Sequence, residues 1–110
     1  VDAVIGYSLR GAPQGRSAEL IGAVNATGGI VVSLDTPSGL DVTTGEAPGA
    51  VVEAAATLTL ALPKIGMRNA SVTGQLFLGD ISVPRSITEA YGAPAPDFRT
   101  GSILRLERPT

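Results

Sequence analysis

The chain has 110 residues, 44% of them hydrophobic and 16% charged, which suits one packed domain and argues against disorder. A net charge of −2 provides no basic surface for a nucleic-acid backbone. With no histidine and no cysteine, zinc sites built on those ligands, Ser-His-Asp triads and thiol nucleophiles are excluded; acid–base work falls to Asp, Glu, Tyr or the single lysine, Lys64. Any metal bound is expected to be a hard, oxygen-liking cation. No apolar run reaches the length of a membrane span and the first residues do not read as a signal peptide, so a cytoplasmic setting is expected.

In chain order, VDAVIG (Val1 to Gly6) reads as a short buried strand ending in glycine. The Gly- and Pro-rich YSLRGAPQG that follows is a loop. From Arg16 to Ala26, Leu20, Ile21 and Val24 recur at helical spacing, with Ser17 as candidate N-cap and Gly28-Gly29 as the stop. Ile30 to Leu34 is a second apolar strand, ending on the turn VVSLDTPSGLD. Thr43-Thr44-Gly45 and Pro48-Gly49 mark a long connection. Ala55 to Leu62 is a third strand, terminated by Pro63. Gln75 to Leu78 and Ile81 to Val83 read as one or two short strands, Ile87 to Tyr91 as a short helix, and Ser102 to Leu106 as an alternating edge strand.

Strand, helix, strand and further strands predict an α/β domain with a largely parallel sheet. Ligands of such sheets bind beyond the carboxyl ends of the strands. Parallel running delivers three groups to one rim: the Gly6 to Gly11 loop, the Asp35-Ser38-Asp41 turn and Lys64. The chain also opens directly on an apolar strand, and a single strong helix leaves one sheet face poorly covered. The expectation is therefore a single unit, residues 1–110, that forms the later portion of a larger domain.

DAVIGYSLRG, VNATGGIVVSLDTPSGLDVTTGE and TLTLALPKIGM, in that order and spacing, resemble the NAD(P)H-hydrate epimerase family, also called the YjeF N-terminal domain family. The resemblance runs to about Pro84 and weakens afterwards. It implies a Rossmann-like three-layer α/β/α fold and an isomerase that interconverts the R and S forms of hydrated NADH and NADPH, supplying a dehydratase that is sometimes fused to the same chain. It implies a homodimer and a potassium ion, with Asp2 and Ser38 matching the potassium ligands. Gly6, Tyr7, Ser8, Leu9, Arg10, Gly11 and Ala12 match the loop that holds the hydrated dinucleotide. Asp35 matches a substrate-contacting, catalytic carboxylate. The family's Gly-x-Asn-Asn-Gly-Gly-Asp-Gly phosphate loop, a further potassium ligand on it and a lysine proposed for catalysis have no counterpart in these residues.

Read on their own chemistry, the same residues carry alternatives. Asp35, at a strand end in apolar surroundings, suits proton exchange, or else it caps its own turn through backbone N–H groups. Ser38 is a turn former or, with Asp2, a hard oxygen ligand. Arg10 pairs with a phosphate or stays solvated on the surface. Lys64 is a cation at the rim or marks the exit of its strand. Asp41 fixes the turn, and Tyr7 and Met67 pack. Three functions remain open on these grounds: the epimerase, a non-catalytic ligand-binding or interaction module of the same fold, and a magnesium-dependent hydrolase using Asp35 and Asp41.

Overall fold

The computed structural model describes residues 1–108. Four strands form one sheet in the order β1 (Val32–Leu34), β2 (Ala56–Leu60), β3 (Gln75–Gly79) and β4 (Ile103–Leu106). The first three run parallel and β4 lies antiparallel on the edge. Two α-helices, α1 (Gly15–Ala26) and α2 (Arg85–Ala90), and two short 3-10 turns at Ile65–Met67 and Ser71–Thr73 complete it.

Residues opposite one another in a sheet share a face, so the register decides the packing. Ser33 pairs with Thr57, Thr57 with Leu76, and Leu76 with Leu106, while Thr59 pairs with Leu78 and Leu78 with Leu104. That face is buried: Ser33, Thr57 and Thr59 are fully inaccessible, and Leu76 joins Leu40, Met67 and Ala70 in the main apolar cluster. The buried hydroxyls are all bonded, as burial requires. Ser33 donates to Asp2 Oδ2 (2.7 Å), Thr57 donates to the Thr73 carbonyl (2.8 Å), and Thr59 accepts from Lys64 (2.8 Å). Along the opposite face, Val32 and Leu34 stay 40% and 41% exposed. The sheet is covered on one side and open along β1 on the other.

The helix expected over Arg16–Ala26 begins one residue earlier. Its N-cap is Gln14, which makes no side-chain capping bond, and Ser17 lies inside the first turn. Thr27 closes it through its amide and hydroxyl, both on the Val24 carbonyl (3.3 and 2.8 Å), and Gly28 at φ +66° turns the chain away. The Asn25 side chain then ties α1 to the next strand approach, donating to the Val51 carbonyl (2.8 Å) and accepting from the Glu53 amide (3.0 Å).

Two expected strands are not strands. Val1 to Gly6 contributes one parallel bridge, Asp2 to Ser33, with the Asp2 amide on the Val32 carbonyl and the Leu34 amide on the Asp2 carbonyl (both 2.8 Å). Beyond it the Ile5 amide turns to the Ser38 hydroxyl (2.8 Å), which ends the ladder after one residue. Ile81 to Val83 is a loop because Asp80 Oδ1 captures the Ser82 amide (2.8 Å) and Ser82 takes φ +65°. The other boundaries differ by a residue or two: Val32–Leu34 instead of Ile30 to Leu34, Ala56–Leu60 instead of Ala55 to Leu62, and Arg85–Ala90 instead of Ile87 to Tyr91. The edge strand at Ile103–Leu106 stands as expected.

Candidate functional site at the carboxyl ends of the strands

β1 and β2 end in the same way. After Leu34, the Thr36 amide bonds back to the Leu34 carbonyl (2.9 Å) around Asp35 at φ +68°. After Leu60, the Leu62 amide bonds back to the Leu60 carbonyl (2.8 Å) around Ala61 at φ +64°. These three-residue turns with a non-glycine centre at positive φ are the rare, strained γ-turns. Such strain persists only where surrounding structure enforces it and tends to gather at functional sites. Here two lie on adjacent parallel strands at one rim.

The rim opens into a cleft of about 540 Å³, lined by Ala3, Ile5, Gly6, Tyr7, Leu34, Asp35, Leu60, Ala61, Leu62, Lys64 and Ile81. Its wall is mostly apolar, with one carboxylate and one ammonium. Lys64 Nζ donates to Asp35 Oδ1 (2.6 Å), to the Thr59 hydroxyl (2.8 Å) and to the Leu60 carbonyl (2.9 Å). Both partners of the ion pair are largely buried, with side chains 21% and 18% exposed. The Leu60 amide also points at Asp35 Oδ1 (3.4 Å). Asp35 Oδ2 receives no hydrogen bond among the described residues and lies toward Gly6, where an added Cβ would come to 3.8 Å from it. Asp35 therefore does not cap its own turn with its side chain. One oxygen is anchored and the other is turned into the cleft.

Beside this cleft, Asp2 is 1% exposed and gathers donors from the following turn. Its Oδ2 accepts from the Ser33 hydroxyl (2.7 Å) and the Ser38 amide (2.9 Å), and its Oδ1 from the Ser38 hydroxyl (2.6 Å). Ser38 Oγ in turn accepts the Ile5 amide and lies 3.3 Å from the Ile5 carbonyl. No cationic side chain pairs with Asp2 among the described residues, although a buried charge is ordinarily paired or bound to metal. A buried carboxylate, a hydroxyl and a backbone carbonyl form a donor set of hard oxygens, which fits a monovalent or other hard cation.

The remaining predicted residues fall out as follows. Gly6 lines the cleft, and Tyr7, expected to pack, is 70% exposed at its mouth. Ser8, Arg10, Gly11 and Ala12 lie on the exposed loop and Leu9 is half-buried. Met67 packs as expected. Asp41 faces its own turn: Oδ1 accepts the Thr43 and Thr44 amides (2.8 and 3.1 Å), and these bonds hold its carboxyl below the usual 3.8. No cluster of three or more acidic, histidine or cysteine ligands occurs among the described residues, so Asp35 and Asp41 do not build the carboxylate nest of a magnesium hydrolase.

A second cleft, also about 540 Å³, shares Ala61 and Ile81 with the first and continues past the end of β3. Its arginines are already engaged, Arg85 with Glu89 (3.1 Å) and Arg99 with Asp97 (2.6 Å). Sequence reasoning missed one anchoring residue, Arg108. Its guanidinium reaches the Thr73 hydroxyl (2.6 Å) and the Ala70 and Gly74 carbonyls (3.0 and 2.8 Å), contacts between residues more than thirty positions apart. Local pattern carries no signal for such a reach.

Comparison with known proteins places this geometry. The profile of the YjeF-related protein N-terminus family matches residues 1–66. An NAD(P)H-hydrate epimerase of Dehalogenimonas lykanthroporepellens is 46% identical over 108 residues, which cover 96% of this chain and 44% of that protein. One of Truepera radiovictrix is 43% identical over 101 residues, 87% of this chain and 46% of its own length. The bifunctional NAD(P)H-hydrate repair enzyme Nnr of Hyperthermus butylicus is 42% identical over 86% of this chain, which covers 18% of that protein. The chain thus spans less than half the length of these relatives. The crystal structure of the yeast protein ynu0 superposes with a TM-score of 0.80 over 96% of this chain and 45% of the yeast chain, at 23% identity. That likeness establishes a Rossmann-like α/β fold.

Proposed function

The chain belongs to the YjeF-related protein N-terminus family, and from that premise we propose that it forms part of an NAD(P)H-hydrate epimerase acting in nicotinamide cofactor repair. The observation that carries the reading is Asp35: a carboxylate at a strained strand end, with one oxygen anchored by Lys64 and the other open to the cleft. The substrate is the R or S form of hydrated NADH or NADPH, whose reacting carbon bears a hydroxyl next to the ring nitrogen. Inverting that carbon requires a proton to be taken from or given to the hydroxyl, either as the ring C–N bond opens and recloses or as water leaves and re-adds. Asp35 Oδ2 exchanges that proton in either route. The Gly6 to Ala12 loop borders the dinucleotide, with Gly6 keeping the space next to the carboxylate open.

A potassium ion fits the oxygen set of Asp2 and Ser38, where it supplies positive charge near the anionic dinucleotide. The reading extends to a homodimer in the cytoplasm, and to a dehydratase that consumes the S form, as a separate partner or a fused domain. No helix among the described residues is long and apolar enough to cross a membrane.

The test uses the protein at its full native length with hydrated NADH enriched in one epimer, followed by chromatographic separation of the two forms. The wild type should equilibrate them. Asp35→Asn should slow equilibration by at least roughly 100-fold while the thermal transition stays in place, because Asn shares Asp's tolerance of positive φ. An unchanged rate in the variant would instead support the non-catalytic module.

A further inference from the structure

We propose that Lys64 is a positioning residue for Asp35, fixing which carboxylate oxygen exchanges the proton, and that Thr59 holds Lys64 in place. The proposal rests on the epimerase reading above and goes beyond it by giving the single lysine a role.

The geometry restricts what Lys64 does. An ammonium has three N–H donors. All three are engaged, by Asp35 Oδ1, the Thr59 hydroxyl and the Leu60 carbonyl. In this arrangement Lys64 has no donor left for a phosphate or for the substrate hydroxyl, so it does not act as an anion grip. A residue that only marked the end of β2 would need no such convergence, since Pro63 already terminates the strand. Simple stabilisation also explains it poorly, because a buried ion pair roughly breaks even against its desolvation cost.

What the arrangement does achieve is asymmetry. Asp35 sits at the centre of a strained turn, and its short side chain would otherwise rotate and present either oxygen. Lys64 holds Oδ1, while Oδ2 faces the open space beside Gly6. The anchor is rigid because two of its three contacts, Thr59 and Leu60, lie on β2 itself, and Thr59 is fully buried. A hydroxyl on the covered side of the sheet thus orients a carboxylate on the rim. Displacing a reacting group by about 1 Å costs on the order of 100-fold in rate.

The experiment compares wild type, Lys64→Met, Lys64→Arg, Thr59→Val and Asp35→Asn in the full-length protein, with kcat and KM for epimerisation of hydrated NADH and a thermal melt for each. The expected result is a kcat lowered roughly 10- to 100-fold in Lys64→Met with KM within about threefold of wild type. Lys64→Arg should recover part of the loss, and Thr59→Val should show a smaller fall in kcat, again without a change in KM. A wild-type kcat in Lys64→Met, or a loss confined to KM, overturns the positioning role. If Lys64→Met does not fold, Thr59→Val and Lys64→Arg decide, and wild-type kcat in both overturns it. Failure of the underlying reading looks different: the wild type itself does not epimerise, or Asp35→Asn is as fast as wild type.

Discussion

Ser38 ties two segments together through both its side chain and its backbone. Its hydroxyl donates to Asp2 and accepts the Ile5 amide, while its own amide holds the other Asp2 oxygen. Ser38→Ala would leave the fully buried Asp2 carboxylate short of a donor and the half-buried Ile5 amide without an acceptor. A loss of about 1–3 kcal/mol in urea unfolding is expected. Gly6→Ala is the opposite kind of change. Its Cβ meets Asp35 Oδ2 at an ordinary 3.8 Å, so stability should stay within about 0.5 kcal/mol, whereas the methyl fills space next to the proposed reacting oxygen and should raise KM. Asp41 contributes through pH. Its carboxyl is held below 3.8 by the Thr44 and Thr43 amides, so its contribution to folding is complete above the unfolded value and is lost as pH falls through the lower folded value. Melting temperatures measured from pH 5 downward should fall more steeply for wild type than for Asp41→Asn.

At the level of elements, the long connection between β1 and β2 is fixed by close backbone approaches instead of by regular structure. Gly39 stands at φ +100°, and a Cβ there would come to 2.0 Å from the Ala50 carbonyl oxygen. Neither strain nor clash has an escape, because the partner is backbone. Gly39→Ala should lower stability by more than about 3 kcal/mol, or prevent soluble expression. The same connection shows which features the sequence made readable. The Pro-Ser-Gly signal located the turn, and parallel strands correctly brought Asp35, Ser38 and Lys64 to one rim, because both follow from short-range chemistry and a topological rule. The direct Asp35–Lys64 contact did not follow, since the two residues lie 29 positions apart and the chain between them must return in one register. The strand at Val1 to Gly6 was over-read for a similar reason: apolar composition cannot reveal that a distant serine will claim the Ile5 amide. The 3-10 turns at Ile65–Met67 and Ser71–Thr73 span three residues each and leave no period to detect.

On the scale of the whole molecule, the sheet has one packed face and one along which Val32 and Leu34 stay partly bare. An apolar strand surface of this kind tends to find a covering layer. The 110-residue chain taken alone is therefore expected to self-associate in sedimentation velocity, and Val32→Lys should shift it toward monomer. Monomeric behaviour of the unmodified chain at all concentrations would mean the exposed strip is too small to drive contact. The poor cover of one face was legible from the count of helices against strands. That β4 would be antiparallel was not, because alternation marks an edge strand without giving its direction.

The twin γ-turns have a consequence for how this rim can change over time. Asp35 and Ala61 occupy matching strained positions, yet only Asp35 has a side chain with chemistry to offer in return. At Ala61 the methyl group has the same conformational difficulty and no compensating bond. Glycine there removes a strain of about 1–3 kcal/mol and restores roughly 0.5–1 kcal/mol of unfolded-chain freedom, so drift from alanine to glycine should be tolerated or mildly favoured. At position 35 such drift relieves the same strain and erases the carboxylate. Two neighbouring sites with one backbone shape thus face opposite selection, and sampling random variants of both for foldedness and for turnover would separate them.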